Sequence, residues 1–356
     1  PSNYPLNETF TLLIPALIMG NTVVMKLPRP GVLLCSPLLE AFQQSFPPGV
    51  VNTVYGSGRV VTPPLMASGE VSAFAFIGSS RAANALKKQH PKFNRLRTVY
   101  GLEAKNPAIV LPDADLDLSV KECVLGTLSY NGQRCTALKI LFVHRQMVEA
   151  FLKKFSAAIA QLKVGMPWDE DVAITPLIES EKTQYFSDLV EDAVRKGASV
   201  INPGGGTVKA SVFYPAVVYP VTPDMRLYSE EQFGPVIPVV PYDDVETPID
   251  YIVNAEYGQQ VSIFGQDTDA IASLIDPLVS QVCRVNLNSQ CQRGPDTFPF
   301  SGRKDSAVGT LSVSDALRAF SIRTLVAAKD KSLNKAIISE IVRQRKSNFL
   351  STDFIL

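Results

Sequence analysis

The stretch with the most chemistry in it is Arg134-Cys135-Thr136, a thiol flanked by a guanidinium and a hydroxyl. It follows the pair Asn131-Gly132 and precedes a strand-like run, Ile140-Leu141-Phe142-Val143. A cysteine attacks carbonyl carbon as its thiolate, and an unperturbed thiol is only a few per cent thiolate at neutral pH. A cation placed like Arg134 would raise that fraction by favouring the charged form. The competing reading is a small buried hydrophobe, the commoner fate of a lone cysteine. Taken alone, the stretch leaves that second reading ahead.

Other residues carry weaker signals. Gly78-Ser79-Ser80 joins a strand-like run, 71–77, to a helical run, 81–89. Free amides and the helix dipole there make an anion site, and a simple serine cap explains the same residues equally well. Glu230-Glu231-Gln232-Phe233-Gly234-Pro235 places two carboxylates at a tight turn, which composition alone reads as a solvated loop. Arg293 stands in a long polar loop, 288–300. No Walker or G-x-G-x-x-G sequence occurs. His90 and His144, the only histidines, lack ligand-like spacing, which argues against a catalytic metal and a histidine-dependent triad.

These residues need elements to hold them. A turn at 1–6 leads to an apolar helix over 7–19, closed by Gly20, and then to a strand at 22–26 and a Pro-rich loop, 27–31. Ser36-Pro37 opens a helix that runs to Gln44, and 51–55 forms the next strand. That strand–helix–strand succession predicts a parallel βαβ unit. Strands at 96–100 and 107–111 bracket 101–106, and a helix over 118–128 ends just before the cysteine stretch. Val148, Phe151, Leu152, Phe155, Ile159 and Leu162 form one stripe on a helix over 145–162, and 186–194 repeats the pattern. Strands are expected at 210–220, 236–241, 281–287 and 321–328, with helices at 314–320 and, amphipathic and basic, at 334–346.

At 356 residues the chain exceeds one ordinary domain. The 46% hydrophobic and 19% charged content describes a globular protein. Lysine plus arginine equals aspartate plus glutamate at 34 each, so no charge bias indicates nucleic acid or membrane. Five cysteines without a framework spacing argue for free thiols, a reducing compartment and a cytoplasmic protein, an organelle staying open. No apolar run is long enough to span a bilayer. The chain starts at Pro1 without a methionine, and the expectation is the latter part of a longer protein.

Asn3, Lys26, Gly78-Ser79, Cys135 and Glu231-x-Phe233-Gly234-Pro235, in this order and spacing, resemble the aldehyde dehydrogenase superfamily. Gly132-Gln133-Arg134-Cys135-Thr136-Ala137 and Gln292-Arg293-Gly294-Pro295-Asp296-Thr297-Phe298-Pro299-Phe300 resemble the nucleophile motif and the Q-R-G loop of its non-phosphorylating, NADP-dependent glyceraldehyde-3-phosphate dehydrogenases. The resemblance implies an α/β fold with a Rossmann-type parallel sheet for the cofactor and an α/β catalytic domain. It implies Cys135 as nucleophile and Asn3, with the Cys135 amide, as the oxyanion donors. Tyr4, Arg134 and Arg293 would grip a substrate phosphate, a set suited to a dianion. Lys26 and Ser79 would hold the dinucleotide's ribose and pyrophosphate, and Glu231 and Phe233 its nicotinamide end. Arg29 falls where a cation favours NADP over NAD, although NAD stays possible and a solvent-facing arginine is the alternative.

The chain departs from the pattern at the general base. The family's E-L-G-G-K glutamate aligns with Gly101, and a glutamate appears two residues later, as Glu103. Residues two apart on a strand face the same way, so Glu103 is the expected displaced base. The expected divisions are an N-terminally incomplete cofactor domain at 1–104 and a catalytic domain at 105–303. A return segment with an oligomerisation strand, 304–330, and an extra tail, 331–356, follow. The reading is NADP-dependent oxidation of glyceraldehyde 3-phosphate to 3-phosphoglycerate in a homo-oligomer, with the tail able to dock a partner. Two alternatives stand beside it: a catalytically impaired homologue kept as a structural subunit, and a dehydrogenase for another anionic aldehyde.

Overall fold

The computed structural model describes residues 1–311 and 313–350. From the N-terminus, α1 (Asn7–Ile18) leads into β1 (Val23–Lys26), α2 (Ser36–Ser45) and β2 (Val51–Val54). β1 and β2 pair in parallel, Val23 opposite Val51 and Lys26 opposite Val54, as the βαβ reading requires. Then come α3 (Gly58–Ala67), β3 (Ala73–Ile77), α4 (Ser80–Lys87) and β4 (Arg97–Gly101). β4 lies between β3, parallel, and a short returning strand, Ala307–Val308, antiparallel. Helix α3 was not anticipated, because Pro63 and Pro64 sit inside it. The ladder bonds they cannot make would end on the carbonyls of Arg59 and Val60, both exposed residues that water can serve.

The larger sheet has seven strands: β5 (Asn106–Val110), β6 (Leu138–His144), β7 (Ser199–Val200), β8 (Ala216–Tyr219), β9 (Val236–Tyr242), β10 (Gln260–Phe264) and β11 (Arg284–Leu287). Their spatial order is β11-β10-β5-β6-β9-β8-β7, all parallel except the edge pair of β7 and β8. β5 and β10 are buried at every position and β6 at all but its last, as a sheet covered on both faces demands. Side chains alternate between the faces. Ala108, Val110, Leu141 and Val143 pack with α5 (Leu116–Leu128) and α6 (Arg145–Ala160) through Val120, Cys123, Phe151 and Phe155. Ile109, Ile140 and Phe142 face the other way, toward Phe186 and Leu189 of α7 (Lys182–Arg195), Tyr251 of α8 (Glu246–Asn254) and Leu274 of α9 (Thr268–Leu278).

Near the C-terminus, α10 (Val313–Ala319) packs beside α1. Packing divides the chain at Phe320, so the segment expected as 304–330 is split between two units. In the second unit the strand expected at 321–328 does not form. Ile322 and Leu325 there are exposed, and among the described residues no strand pairs with this segment. The tail does form a helix, α11 (Ser332–Arg343), with Leu333 and Ile337 exposed.

Candidate active site

The loop that carries Cys135, the predicted nucleophile, is made by reversing the chain at the end of α5. Tyr130, Asn131 and Gly132 are consecutive left-handed residues, with φ of 54°, 56° and 70°. The strained asparagine is fixed by reciprocal bonds: its amide donates to the carbonyl and hydroxyl of Thr175 at 3.0 Å, and its Oδ1 accepts from the Thr175 amide at 2.9 Å. Gly132 admits no side chain, since a Cβ would stand 2.6 Å from the Thr127 carbonyl and 2.8 Å from that of Gly234. Cys135 follows on a turn before β6, and its carbonyl accepts from Asn106 Nδ2 at 2.9 Å. The Cys135 amide has no protein acceptor among the described residues. Asn3 Nδ2 donates to the Gln133 carbonyl at 3.1 Å, which brings the predicted oxyanion donor to the nucleophile loop with its second N–H uncommitted.

Cys135 is half-buried and packs against Leu12, Val99, Phe300 and Leu311. Burial pushes its thiol up to about 11; the Glu8 carboxylate adds to the rise and the Lys139 ammonium opposes it. Arg134 does not acidify the thiol as its place in the sequence suggested. Its Nη2 is turned to the carbonyls of Leu125 and Gly126, at 3.3 and 3.0 Å, and to Gln290 Oε1 at 3.1 Å. Its Nε is buried without a partner. Tyr4 is held beside Arg134, and its ring lies 5.4 Å from that of Tyr130. The sequence-predicted pair Tyr4 and Arg134 is therefore brought together.

Arg293 is placed differently from a free phosphate ligand. Its Nη1 pairs with Glu8, its Nε lies 3.3 Å from Asp296, and its Nη2 reaches Thr11 and the Leu311 carbonyl, both at 3.4 Å. The guanidinium stacks on Phe300 at 4.7 Å. Two carboxylates thus already compensate this arginine.

Glu103 also differs from expectation. β4 ends at Gly101, so strand alternation does not carry over to residue 103. The Glu103 carboxylate accepts from the Ser80 amide at 2.7 Å, at the positive end of α4. At Gly101 itself, a Cβ would point at Leu311 Cδ1, 3.1 Å away, so that leucine fills the space where the family's glutamate would begin.

Glu231 is tied to Lys139 of β6 rather than standing in a solvated loop. Its Oε1 accepts from the Ala104 amide at 3.0 Å and from the buried ammonium of Lys139. Lys139 also donates to the Ala104 carbonyl at 2.8 Å and lies 5.1 Å above the Phe233 ring. Buried Lys105 donates at 2.6 Å to the Glu230 carbonyl and to Gln232 Oε1. Burial, reinforced by Lys139, lowers Lys105 to about 7. Gln232 in turn donates to the carbonyls of Lys139 and Val236, at 2.6 and 2.9 Å.

At the predicted dinucleotide face, Ser79 caps α4 through the Ala82 amide at 3.3 Å. Lys26 Nζ stands 4.0 Å from where a Cβ on Gly58 would sit, at the first turn of α3. Among the described residues, no carboxylate pairs with Lys26, Arg29, Arg59 or Arg81, and the last three are exposed. Unmatched cations beside two helix N-termini fit the phosphates of a dinucleotide. Among the same residues, no His, Cys, Asp and Glu group could hold a metal ion, and no helix is long and apolar enough to cross a membrane.

Sequence reasoning missed Glu8, Lys139 and Lys105. Glu8 had a signal: it shares a helical face with Leu12, Pro15 and Ala16, the buried side of α1. The lysines had none, since their burial depends on acceptors from distant loops.

Residues 1–326 match the model of the aldehyde dehydrogenase family. The NADP-dependent glyceraldehyde-3-phosphate dehydrogenase of Streptococcus equinus is 36% identical over 321 residues, 90% of this chain and 66% of that protein. The solved NADP-dependent glyceraldehyde-3-phosphate dehydrogenase of Bacillus halodurans C-125, complexed with NADP, superposes with a TM-score of 0.83 at 34% identity, covering 90% of this chain and 66% of its own. A glyceraldehyde-3-phosphate dehydrogenase from Methanocaldococcus jannaschii, also complexed with NADP, gives 0.86 at 30% identity, over 92% of this chain and 72% of its own. This chain thus spans about two thirds of the length of the relatives it matches. On the match over residues 1–326 and the likeness to these relatives, the chain belongs to the aldehyde dehydrogenase family.

Proposed function

We propose that this chain oxidises a small phosphorylated aldehyde, glyceraldehyde 3-phosphate, to 3-phosphoglycerate with NADP, through a Cys135 thioester and without added phosphate. The Cys135 thiol first gives up its proton to solvent; the thiolate sulfur then bonds to the aldehyde carbon as the C=O π pair moves to oxygen, which becomes an oxyanion facing the Cys135 amide and the free N–H of Asn3. One such donor contributes about 3 kcal/mol to the barrier reduction. The bound nicotinamide supplies the acceptor for the hydride that leaves that carbon. Water then cleaves the thioester and the thiol is restored. Lys26, Arg29 and Ser79 would hold the dinucleotide's ribose and phosphates, with Glu231 and Phe233 at its other end. The cations without carboxylate partners and the NADP-dependence of the named relatives support that cofactor.

One observation carries the substrate reading. Arg134, buried one residue before the proposed nucleophile and beside Tyr4, has an Nε donor with no hydrogen-bond acceptor among the described residues. A buried charged donor left unmatched is costly, and an anionic substrate oxygen relieves it. A second reading has its own support: Glu8 and Asp296 compensate Arg293, leaving one uncompensated guanidinium, which suits a singly charged semialdehyde carboxylate. We extend the proposal to a homo-oligomer joined through 321–328, whose exposed Ile322 and Leu325 belong to no strand pair among the described residues.

The test follows NADPH formation from glyceraldehyde 3-phosphate in phosphate-free buffer, beside Cys135→Ser and Arg134→Gln. Turnover is expected, abolished in the first variant and reduced in kcat/KM by roughly 10–100-fold in the second, the worth of one charge-assisted bond. Equal rates with succinic semialdehyde would favour the second reading. Absence of both turnover and NADP binding would overturn the enzyme.

A further inference from the structure

Hydrolysis of a thioester at Cys135 needs a base for the attacking water, and neither position suggested by the sequence supplies one. Gly101 has no side chain, and Leu311 occupies the space beside it. Glu103 is drawn to the Ser80 amide. Glu231 is held by Lys139 and the Ala104 amide. Of the two carboxylates whose charges bear on Cys135, Glu231 and Glu8, that leaves Glu8. It is 5% exposed, its Oε1 is paired with Arg293 Nη1, and its Oε2 is buried with no hydrogen-bond partner.

Glu8 stands in the wall around the thiol. It lies one turn before Leu12 on α1, and Leu12 packs in the cluster that holds Cys135. Arg293, its partner, stacks on Phe300 and bonds the Leu311 carbonyl, and both residues belong to that cluster. The turn that opens α1 is tied to the nucleophile loop by Asn3.

Resting on the reading above, we propose that Glu8 is the general base for deacylation, replacing the glutamate that position 101 lacks. In the step, Glu8 Oε2 takes a proton from water and the water oxygen bonds to the acyl carbon. The carbon–sulfur bond breaks with its electron pair passing to Cys135 Sγ. The proton on Glu8 then passes to the thiolate, and the product acid releases its own proton to solvent and leaves as its carboxylate. Arg293 fixes Oε1 and leaves Oε2 to the water. Burial raises the Glu8 carboxyl above its ordinary range, which suits a base working near neutrality.

p-Nitrophenyl acetate isolates this step, because it acylates a thiol without aldehyde or dinucleotide. Wild-type chain is expected to release nitrophenolate in a burst of one per Cys135 and then turn over. Glu8→Gln should keep the burst but deacylate roughly 100-fold more slowly, with the acetyl group retained on Cys135 by intact mass. In Glu8→Ala, added formate should restore deacylation in proportion to its concentration, which a purely structural role would not allow. If Arg293 left unpaired prevents folding, the double variant Glu8→Gln/Arg293→Gln removes both charges and should show the same slow deacylation. Unchanged deacylation in Glu8→Gln or in the double variant overturns Glu8 as base, as does a folded Glu8→Ala that formate fails to rescue. A wild-type chain that p-nitrophenyl acetate cannot acylate at Cys135 would instead overturn the thioester reading itself.

Discussion

The thiol of Cys135 rests protonated, because burial and the Glu8 charge outweigh the nearby Lys139 ammonium. Its alkylation by iodoacetamide, read on the Cys135 peptide by mass, should rise about tenfold per pH unit through the neutral range, the slope of thiolate formation. It should level off only near pH 11. A plateau by pH 9 would show a thiolate formed too easily for this environment. Glu8→Gln, which removes a charge that raises the thiol, should make alkylation faster at every pH below that plateau. At this scale the sequence was informative where a residue type is unusual for its place. A cysteine between arginine and threonine, with Asn3 far upstream, is such a case. For Glu8 it showed a place on the buried face of α1 but not the partner, since Arg293 lies 285 residues away. Glu103 misled because strand alternation was applied past the point where the strand ends.

Among the elements, the loop at 230–235 is held to the sheet by contacts that leave no room. A Cβ on Gly234 would stand 2.0 Å from Phe186 Cζ, and Phe186 is fully buried against Phe213. Gly234→Ala should therefore destabilise the fold by about 1–3 kcal/mol, measured by urea denaturation. Adding Phe186→Leu should recover part of the loss, and strict additivity of the two changes would refute direct contact. The βαβ unit and the long helix of the larger sheet were legible because their apolar spacing is undisturbed. Strand β10 was not, since Gln260 and Ser262 interrupt it. Both are buried and satisfied, Gln260 Nε2 by the Gln292 carbonyl at 3.0 Å and Ser262 by Cys291 Sγ at 3.3 Å. Such polar positions are readable only once their partners are known. Helix α3 was hidden by its prolines, and the strand at 321–328 was expected on composition that the fold of one chain does not use.

For the whole molecule, Lys105 couples folding to pH. Its amine falls to about 7 in the folded chain, against an ordinary value of 10.5. Between these, the unfolded chain binds a proton that the folded chain does not, so this group makes stability rise with pH across that window. Thermal unfolding at pH 7 and pH 9 should show the gain in the wild type and its loss in Lys105→Met. An identical pH response in both would mean that the amine keeps its proton when buried.

The two buried ion pairs, Glu8 with Arg293 and Lys139 with Glu231, also constrain how this chain can change over generations. Removing one member of a buried pair costs about 3–5 kcal/mol, whereas replacing both by apolar residues is often neutral. Single substitutions at any of the four positions therefore lead into a valley of fitness, and the pairs are inherited as units. A descendant that escapes the valley has to cross it twice, once in the wall around Cys135 and once at β6, the strand that follows it.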